Sequence, residues 1–264
     1  MGKENGDTTE NMMGKRPKVI AVMPAYNAST TLEATVRDIP PGSVDEIILV
    51  DDASRDNTVA LAKSLGLTVI AHNRNRGYGA NQKTCYDEAL KRNPDIVIMI
   101  HPDYQYDSRL VPHINGFLES GVCDIVLGNR IRTRREALAS GMPGYKYISN
   151  RLMTIVENML TSQNLGEWHS GYRAYTAKVL RTIPYHNNSD DFVFDTQFLV
   201  QAVYFGFRIG DVPVPVRYMA EASSVNFRRS VTYGLCSMVT ILKYVFAQAG
   251  LIRPRIFQLK GDTK

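Results

Sequence analysis

Hydrophobic and polar positions in the first half of the chain fall into alternating blocks of two periodicities. Residues 18–26 are an apolar run of strand type ending in Met23-Pro-Ala-Tyr-Asn27, and Thr30-Thr-Leu-Glu33 has the spacing of a capping box that opens a helix. Residues 46–52 predict a second strand, Asp56 stands as N-cap of a helix reaching residue 65, and residues 68–72 predict a third strand. A helix over 79–92, a fourth strand over 95–101, a helix from Asp107 and a fifth strand over 124–127 continue the series. Strands alternating with amphipathic helices call for βαβ units and a mostly parallel sheet with helices on both faces, an α/β fold class.

The second half is less regular. Helices are predicted over 143–163 and over 191–205, the latter opened by Asp190-Asp191. Residues 208–218 read as a strand whose Pro213 and Pro215 suit an edge position. A last helix over 230–250 is apolar but contains Lys243 and Gln248, too polar a composition for a membrane span. With Arg228, Arg229, Arg253 and Arg255 at its ends, it suits a helix lying in a membrane interface, against a core or dimerisation helix as the alternative. The organisation is therefore a polar tail over 1–16 without the apolar region of a signal peptide, one domain over 17–228, and a C-terminal amphipathic helix and tail over 229–264.

Composition adds boundaries. At 264 residues the chain can bury a full core without disulfides or a structural metal. Cys85, Cys123 and Cys236 are scattered, which fits a reducing cytoplasm. The formal charge of +5 is compatible with anionic substrates, an anionic membrane or nucleic acid and does not choose among them.

Ligands of open parallel sheets bind at the carboxyl ends of the strands, and polar residues gather at those ends: Pro24, Ala25, Tyr26 and Asn27; Asp51 and Asp52; residues 73–79; His101 to Gln105; and Gly128-Asn-Arg130. His101, Asp103 and Gln105 are spaced two apart, so an extended chain would turn all three to one side as a divalent-cation and phosphate site. Asp52 is placed to accept hydrogen bonds from a ribose or base, and Tyr26 to lie against one. Asn75-Arg-Gly-Tyr-Gly-Ala80 lacks the third glycine of a dinucleotide fingerprint, and no G-x-x-x-x-G-K-[ST] loop is present, so Gly77 and Gly79 suit close backbone approach to a nucleotide instead.

These motifs, with Gly128-Asn129-Arg130, Ser170-Gly-Tyr-Arg-Ala-Tyr175, Phe192-Val-Phe-Asp195 and Val212-Pro-Val-Pro-Val216, resemble glycosyltransferase family 2 in order and spacing over about residues 18–230. The nearest branch looks like the dolichyl-phosphate mannose/glucose synthases. The resemblance implies a GT-A fold, a nucleotide-sugar donor (UDP-, GDP- or dTDP-hexose), inverting hexosyl transfer and a divalent cation, Mg²⁺ or Mn²⁺. By the same resemblance Pro24, Ala25, Tyr26, Asn27, Asp52, Gly77, His101 and Pro102 line the donor, Asp103 holds the metal with Gln105 beside it, and nucleic acid is not a partner. The chain departs from the pattern at His101, where the family usually has the first aspartate of Asp-x-Asp.

The acceptor is open to two readings. A polyprenyl phosphate oxygen is already a nucleophile, met at the cytosolic face of a membrane, and Arg130, Arg173, Arg217, Arg228 and Arg229 are candidates for its phosphate. A sugar hydroxyl needs a base, and Glu167 and His169, with Asp191 behind them, are then the candidates. His101 also motivates a reading as a non-catalytic nucleotide-sugar-binding subunit. A homo-oligomer is left open.

Overall fold

The computed structural model describes residues 16–131, 133–217 and 227–259, with the side chains of Phe227 and Arg228 excepted. The tail reading therefore falls almost wholly on residues outside the described ones. In chain order the structure runs β1 (Val19–Ala25), α1 (Leu32–Arg37), β2 (Glu46–Asp51), α2 (Thr58–Ser64), β3 (Thr68–Ala71), α3 (Tyr78–Leu90) and β4 (Ile96–Met99). A 3₁₀ turn (Ser108–Leu110) leads into α4 (Val111–Glu119), followed by β5 (Ile125–Asn129), α5 (Arg134–Ala139), α6 (Gly144–Thr161), β6 (Arg173–Thr176), α7 (Ala177–Thr182), α8 (Phe194–Tyr204), β7 (Ile209–Pro213) and α9 (Phe227–Gln248).

One seven-stranded sheet carries the fold in the order β3-β2-β1-β4-β6-β5-β7. All neighbouring pairs are parallel except those of β6, which runs antiparallel to both β4 and β5. The α/β alternation, the mostly parallel sheet and the edge position of the proline-bearing β7 follow the hydrophobic pattern. β6 does not: its four residues, Arg-Ala-Tyr-Thr, have no apolar run, and the sequence pattern leaves them unassigned. Its reversed direction has a structural consequence. The segment just before β6 arrives at the same sheet edge as the carboxyl ends of the parallel strands, with Arg173 paired to Met99 on one side and Leu127 on the other.

Two apolar layers sandwich the sheet. Outward positions of the central strands, among them Ile20, Val22, Val97 and Met99, pack with α3, α8 and α9 residues such as Tyr86, Phe198 and Ile241. The alternate positions Ala21, Met23, Ile98 and Ile100 pack with Leu32, Ile114 and Leu118 of α1 and α4. Strand alternation thus feeds both layers, as a doubly covered sheet requires.

Local details differ from expectation in three places. The capping box at Thr30 does not form. α1 starts at Leu32 with no side-chain cap, and the Thr31 hydroxyl instead donates to the Pro102 carbonyl at 2.5 Å, tying α1 to the loop after β4. The N-cap of α2 is Asn57 and not Asp56, which stands one residue earlier and accepts from the Thr58 backbone N–H at 3.0 Å and from its hydroxyl at 2.6 Å. Burial alone would raise its pKa, but these bonds and those from Ser29 together outweigh it and hold the Asp56 carboxyl down at about 2. The last helix begins at Phe227, so the boundary drawn at 228–229 lies within its first turn.

Candidate active site

The loops at the sheet's carboxyl edge are held in unusual backbone conformations. Asn27, Ala53 and Tyr104, each just past a strand, adopt left-handed φ values of 52°, 61° and 57°. Such angles are uncommon outside glycine and gather where surrounding contacts over-determine the chain. Asn27 shows how: its side-chain carbonyl accepts from the Arg55 N–H at 2.8 Å and its own N–H donates to the Ser54 hydroxyl at 2.8 Å. Pro24 and Ala25 are buried at the end of β1, while Tyr26 and Asn27 are exposed beyond it.

Asp52 is nearly inaccessible at 3 % exposure, and its carboxylate is already engaged. It accepts from the N–H groups of Arg76 (2.8 Å) and Gly77 (3.0 Å), and His72 Nδ1 lies 2.7 Å away. Asp52 thereby shapes the 75–77 turn, a scaffolding role beside the nucleoside contact expected of it. Gly77 sits at φ 99°, and a Cβ there would lie 2.6 Å from the Asp190 carbonyl oxygen, so only glycine fits.

The predicted extended run His101–Gln105 is a turn. With Tyr104 left-handed, Asp103 folds back so that its carboxylate accepts from the Gln105 N–H at 3.1 Å, and the simple alternation of faces is lost. The His101 ring stacks on Tyr78 (centroids 5.7 Å, interplanar angle 3°), which in turn stacks on Phe192. Gly171 leaves room for this ring: a Cβ on it would come 2.6 Å from His101 Nε2. Burial pushes the His101 pKa down despite the carboxylates of Asp103 and Asp195, which leaves a neutral imidazole. Pro102 is buried behind it.

Three residues assigned to acceptor or base chemistry are instead closed pairs. Glu167 is completely buried and accepts from Arg130 N–H (2.8 Å), Arg130 Nε (2.8 Å), Arg130 Nη2 and Asn150 Nδ2 (3.0 Å). Burial alone would raise its pKa, but the Arg130 charge and hydrogen bonds win and hold the carboxyl below its ordinary value. Arg130 also donates to the His169 carbonyl at 3.0 Å, so it locks the 167–169 turn. Arg173, fully buried, faces inward to Asp195 (3.2 Å) and donates to the Ser170 carbonyl at 2.6 Å. Asp195 is completed by Tyr78 (2.9 Å) and Gln82 (3.0 Å). The surface phosphate role expected of Arg173 is thus corrected to an internal one, because Asp195 supplies its countercharge inside the fold. His169 has Tyr233 on Nδ1 at 2.8 Å and Glu157 opposite Nε2 at 3.2 Å.

Arg217 differs. The segment after β7 pairs back onto the loop after β4, with Val216 bridged to Tyr106 and the Arg217 N–H donating to the Gln105 carbonyl at 2.9 Å. Its guanidinium lies 4.4 Å from the Tyr104 ring centroid, and its Nη1 is buried with no hydrogen-bond partner among the described residues. A neighbouring cleft of about 310 Å³ is lined by Arg130, Ser140 and residues 214–216. The Arg228 side chain lies outside the described residues, and Arg229 is exposed on the first turn of α9. Arg132 is outside the described residues, and Arg134 and Arg135 are exposed on α5.

Among the described residues no group of three His, Cys, Asp or Glu could by itself hold a metal ion. What the turn offers is one carboxylate (Asp103), one amide (Gln105) and a neutral imidazole (His101). That set fits a cation that takes its remaining ligands from phosphate oxygens, the usual arrangement for Mg²⁺ with one or two carboxylates.

Comparison with known proteins follows this geometry. The sequence model described as Glycosyl transferase family 2 matches residues 20–183. A UDP-N-acetylglucosamine–dolichyl-phosphate N-acetylglucosaminyltransferase of Methanococcus voltae is 23 % identical over 238 residues, covering 82 % of this chain and 94 % of its own. An undecaprenyl-phosphate mannosyltransferase of Micrococcus luteus is 25 % identical over 214 residues, 75 % of this chain and 82 % of its own. In structure, glucosyl-3-phosphoglycerate synthase of Mycobacterium tuberculosis, solved with Mn²⁺, uridine diphosphate and phosphoglyceric acid, superposes with a TM-score of 0.65 at 20 % identity over 87 % of this chain and 78 % of that one. The fold is of the GT-A type, and the chain belongs to glycosyl transferase family 2.

Proposed function

We propose that this protein transfers a hexose from a nucleotide-sugar donor to a polyprenyl phosphate with inversion at the sugar's C1, at the cytosolic face of a membrane. The observation that carries this reading over transfer to a hydroxyl is the state of Glu167 and His169. A hydroxyl acceptor needs a base within reach to take its proton. Glu167 has its carboxylate filled by Arg130 and Asn150, while the His169 ring has Nδ1 bonded to Tyr233 and Nε2 buried inside the fold, facing the buried Glu157 carboxylate. A phosphate oxygen needs no such base. The relatives named for dolichyl and undecaprenyl phosphate transfer support the same choice.

In the reaction the acceptor phosphate oxygen forms a bond to C1 while the bond from C1 to the nucleoside diphosphate breaks, and the diphosphate leaves with the electron pair. A divalent cation, supported by the Mn²⁺ in the structural relative, would neutralise the charge gathering on that leaving group. Asp103 and Gln105 would hold it, with the His101 imidazole as neighbour. The turns at Asn27, Ala53 and Gly77, fixed by Ser54, Asp51 and Asp52, form a preset wall for the nucleoside, with Tyr26 exposed against it. Arg217, whose buried Nη1 beside the same turn has no hydrogen-bond partner among the described residues, is the residue that meets phosphate oxygens. The Arg130–Glu167 and Arg173–Asp195 pairs position the loops around it.

The test is incubation of the protein with labelled UDP-, GDP- and dTDP-hexoses, Mn²⁺ or Mg²⁺, and undecaprenyl or dolichyl phosphate. A labelled product extractable into organic solvent is expected with one donor class. Its absence with every donor overturns the reading.

A further inference from the structure

The His101 imidazole has one edge turned into the fold and the other left for a ligand. On the inner edge Nε2 lies 3.4 Å from the hydroxyl of Tyr78, the first residue of α3. Gly171, just before β6, admits that edge: a Cβ there would fall 2.6 Å from Nε2 and 2.7 Å from Cδ2. The Tyr78 hydroxyl has a single proton, which it donates to the Asp195 carboxylate of α8 at 2.9 Å. Toward His101 the phenol oxygen therefore accepts, so Nε2 carries the ring's proton and the lone pair is on Nδ1. Nδ1, on the opposite edge, makes no hydrogen bond to a described residue.

That tautomer is held from behind. Asp195 also accepts from Gln82 at 3.0 Å and pairs with the buried Arg173 guanidinium at 3.2 Å, which fixes its charge and position. The ring lies parallel to Tyr78, at an interplanar angle of 3°, and Tyr78 stacks on Phe192. Any flat ring would serve such a stack. The ordered chain from Arg173 through Asp195 and Tyr78 to Nε2 is something packing does not require. A histidine that ligates a metal donates its second N–H to a partner of this kind, which sets both tautomer and orientation. The following turn supplies the other donors: Asp103 and Gln105 stand two and four residues on, and Asp103 is the carboxylate that acts most strongly on the ring.

Ligand type then decides which cation fits. Mg²⁺ takes oxygen ligands and dehydrates reluctantly. Imidazole suits first-row transition ions, whose affinity for a nitrogen-bearing site rises from Mn²⁺ to Co²⁺.

We infer that His101 Nδ1 is itself a ligand of the divalent cation, oriented by Tyr78 and Asp195, and that it turns the site toward Mn²⁺ and Co²⁺ and away from Mg²⁺. The inference rests on the reading of this turn as the seat of the donor's cation, but no acceptor enters its test. A protein that glycosylates polyprenyl phosphate with no histidine on its metal fails only here. One with histidine on the metal and no lipid product fails only the transferase reading.

The experiment uses the full chain labelled with ¹⁵N-histidine and loaded with Mn²⁺ and UDP, GDP or dTDP in turn. Pulsed electron paramagnetic resonance detects a nitrogen bound to the ion, the free Mn²⁺ signal gives the affinity, and titration with Mg²⁺ gives the competition. Thermal melting verifies folding of each variant. A ¹⁵N coupling is expected with the diphosphate that binds. It should vanish in His101→Asp, where the preference for Mn²⁺ over Mg²⁺ should also fall about tenfold or more. Tyr78→Phe keeps the stack and leaves Asp195 to Arg173 and Gln82, and it should weaken Mn²⁺ binding by about tenfold to a hundredfold. The inference is overturned by Mn²⁺ bound without a ¹⁵N coupling, by a coupling that persists in His101→Asp, by an unchanged ion preference in that variant, or by no Mn²⁺ binding with any of the three diphosphates. An unchanged Mn²⁺ affinity in Tyr78→Phe overturns the orienting role of Tyr78 and Asp195.

Discussion

Replacing Glu167 by Gln separates the two acceptor chemistries, because a base and a structural anchor respond differently. Glu167 is completely buried, and the Arg130 side chain paired to it is only 15 % exposed. Glutamine keeps the shape, but it removes the charge and turns an NH₂ toward the N–H donors of Arg130. Breaking a buried pair from one side costs about 3–5 kcal/mol, since the remaining charge is left without compensation. At roughly 2–4 °C per kcal/mol for a chain of this size, the melting temperature should fall by about 6–20 °C. Replacing both partners, Arg130→Gln with Glu167→Gln, removes the stranded charge and should recover most of that loss, giving a coupling of about 1 kcal/mol or more in a double-mutant cycle. The folded-state pKa of Glu167 lies below its ordinary value, so its contribution is present above the unfolded pKa and fades as pH falls through the folded one. The gap between wild type and Glu167→Gln should therefore close on acidification. Thermal melts across pH, with initial rates of sugar transfer on the same samples, read both quantities. A Glu167→Gln protein that melts like wild type yet loses about 10²–10⁴-fold in rate would refute the anchor role and make Glu167 a base.

Gly171→Ala should force the His101 ring aside, since its Cβ would come 2.6 Å from Nε2; the stabilisation of the protein by nucleoside diphosphate and Mn²⁺ should shrink, and His101→Ala in the same chain should restore part of it. Arg217→Ala should raise the acceptor KM and leave the stability within about 1 kcal/mol of wild type in thermal melts, given a guanidinium that makes no described side-chain hydrogen bond. Asp56→Asn should destabilise the protein at neutral pH by loosening the start of α2. Because the Asp56 carboxyl is held at about 2, that difference should persist down to the ordinary carboxylate range and vanish as pH approaches 2, as followed by acid unfolding.

Much of the fold is legible in the sequence because burial writes a period into it. The apolar runs that became β1, β2 and β4 end within two residues of their predicted limits, since strands covered on both faces need continuous hydrophobic residues. β6 carries no such signature. It is four residues long and includes an arginine whose charge is met inside the protein by Asp195, 22 residues away, and periodicity says nothing of partners at that distance. The same blindness made Arg130, Glu167 and Arg173 look like separate ligands for substrate, although each has its countercharge on a segment distant in sequence. The turn at Asp103 was legible as a polar cluster and not as a shape, because its geometry depends on a left-handed Tyr104 that no residue-type preference announces. Arg217 was reachable from sequence as a basic residue, but its position beside Gln105 rests on the Tyr106–Val216 bridge between segments 110 residues apart.

Transfer to a phosphate without a base is the central claim, and paired acceptors of one chain length test it most directly. Labelled nucleotide sugar is offered to a polyprenyl phosphate and to the corresponding free polyprenol, and label is counted in the organic phase over time. The phosphate should become glycosylated and the alcohol should not. Equal or preferential glycosylation of the alcohol, or labelling of neither with any donor, would contradict the account.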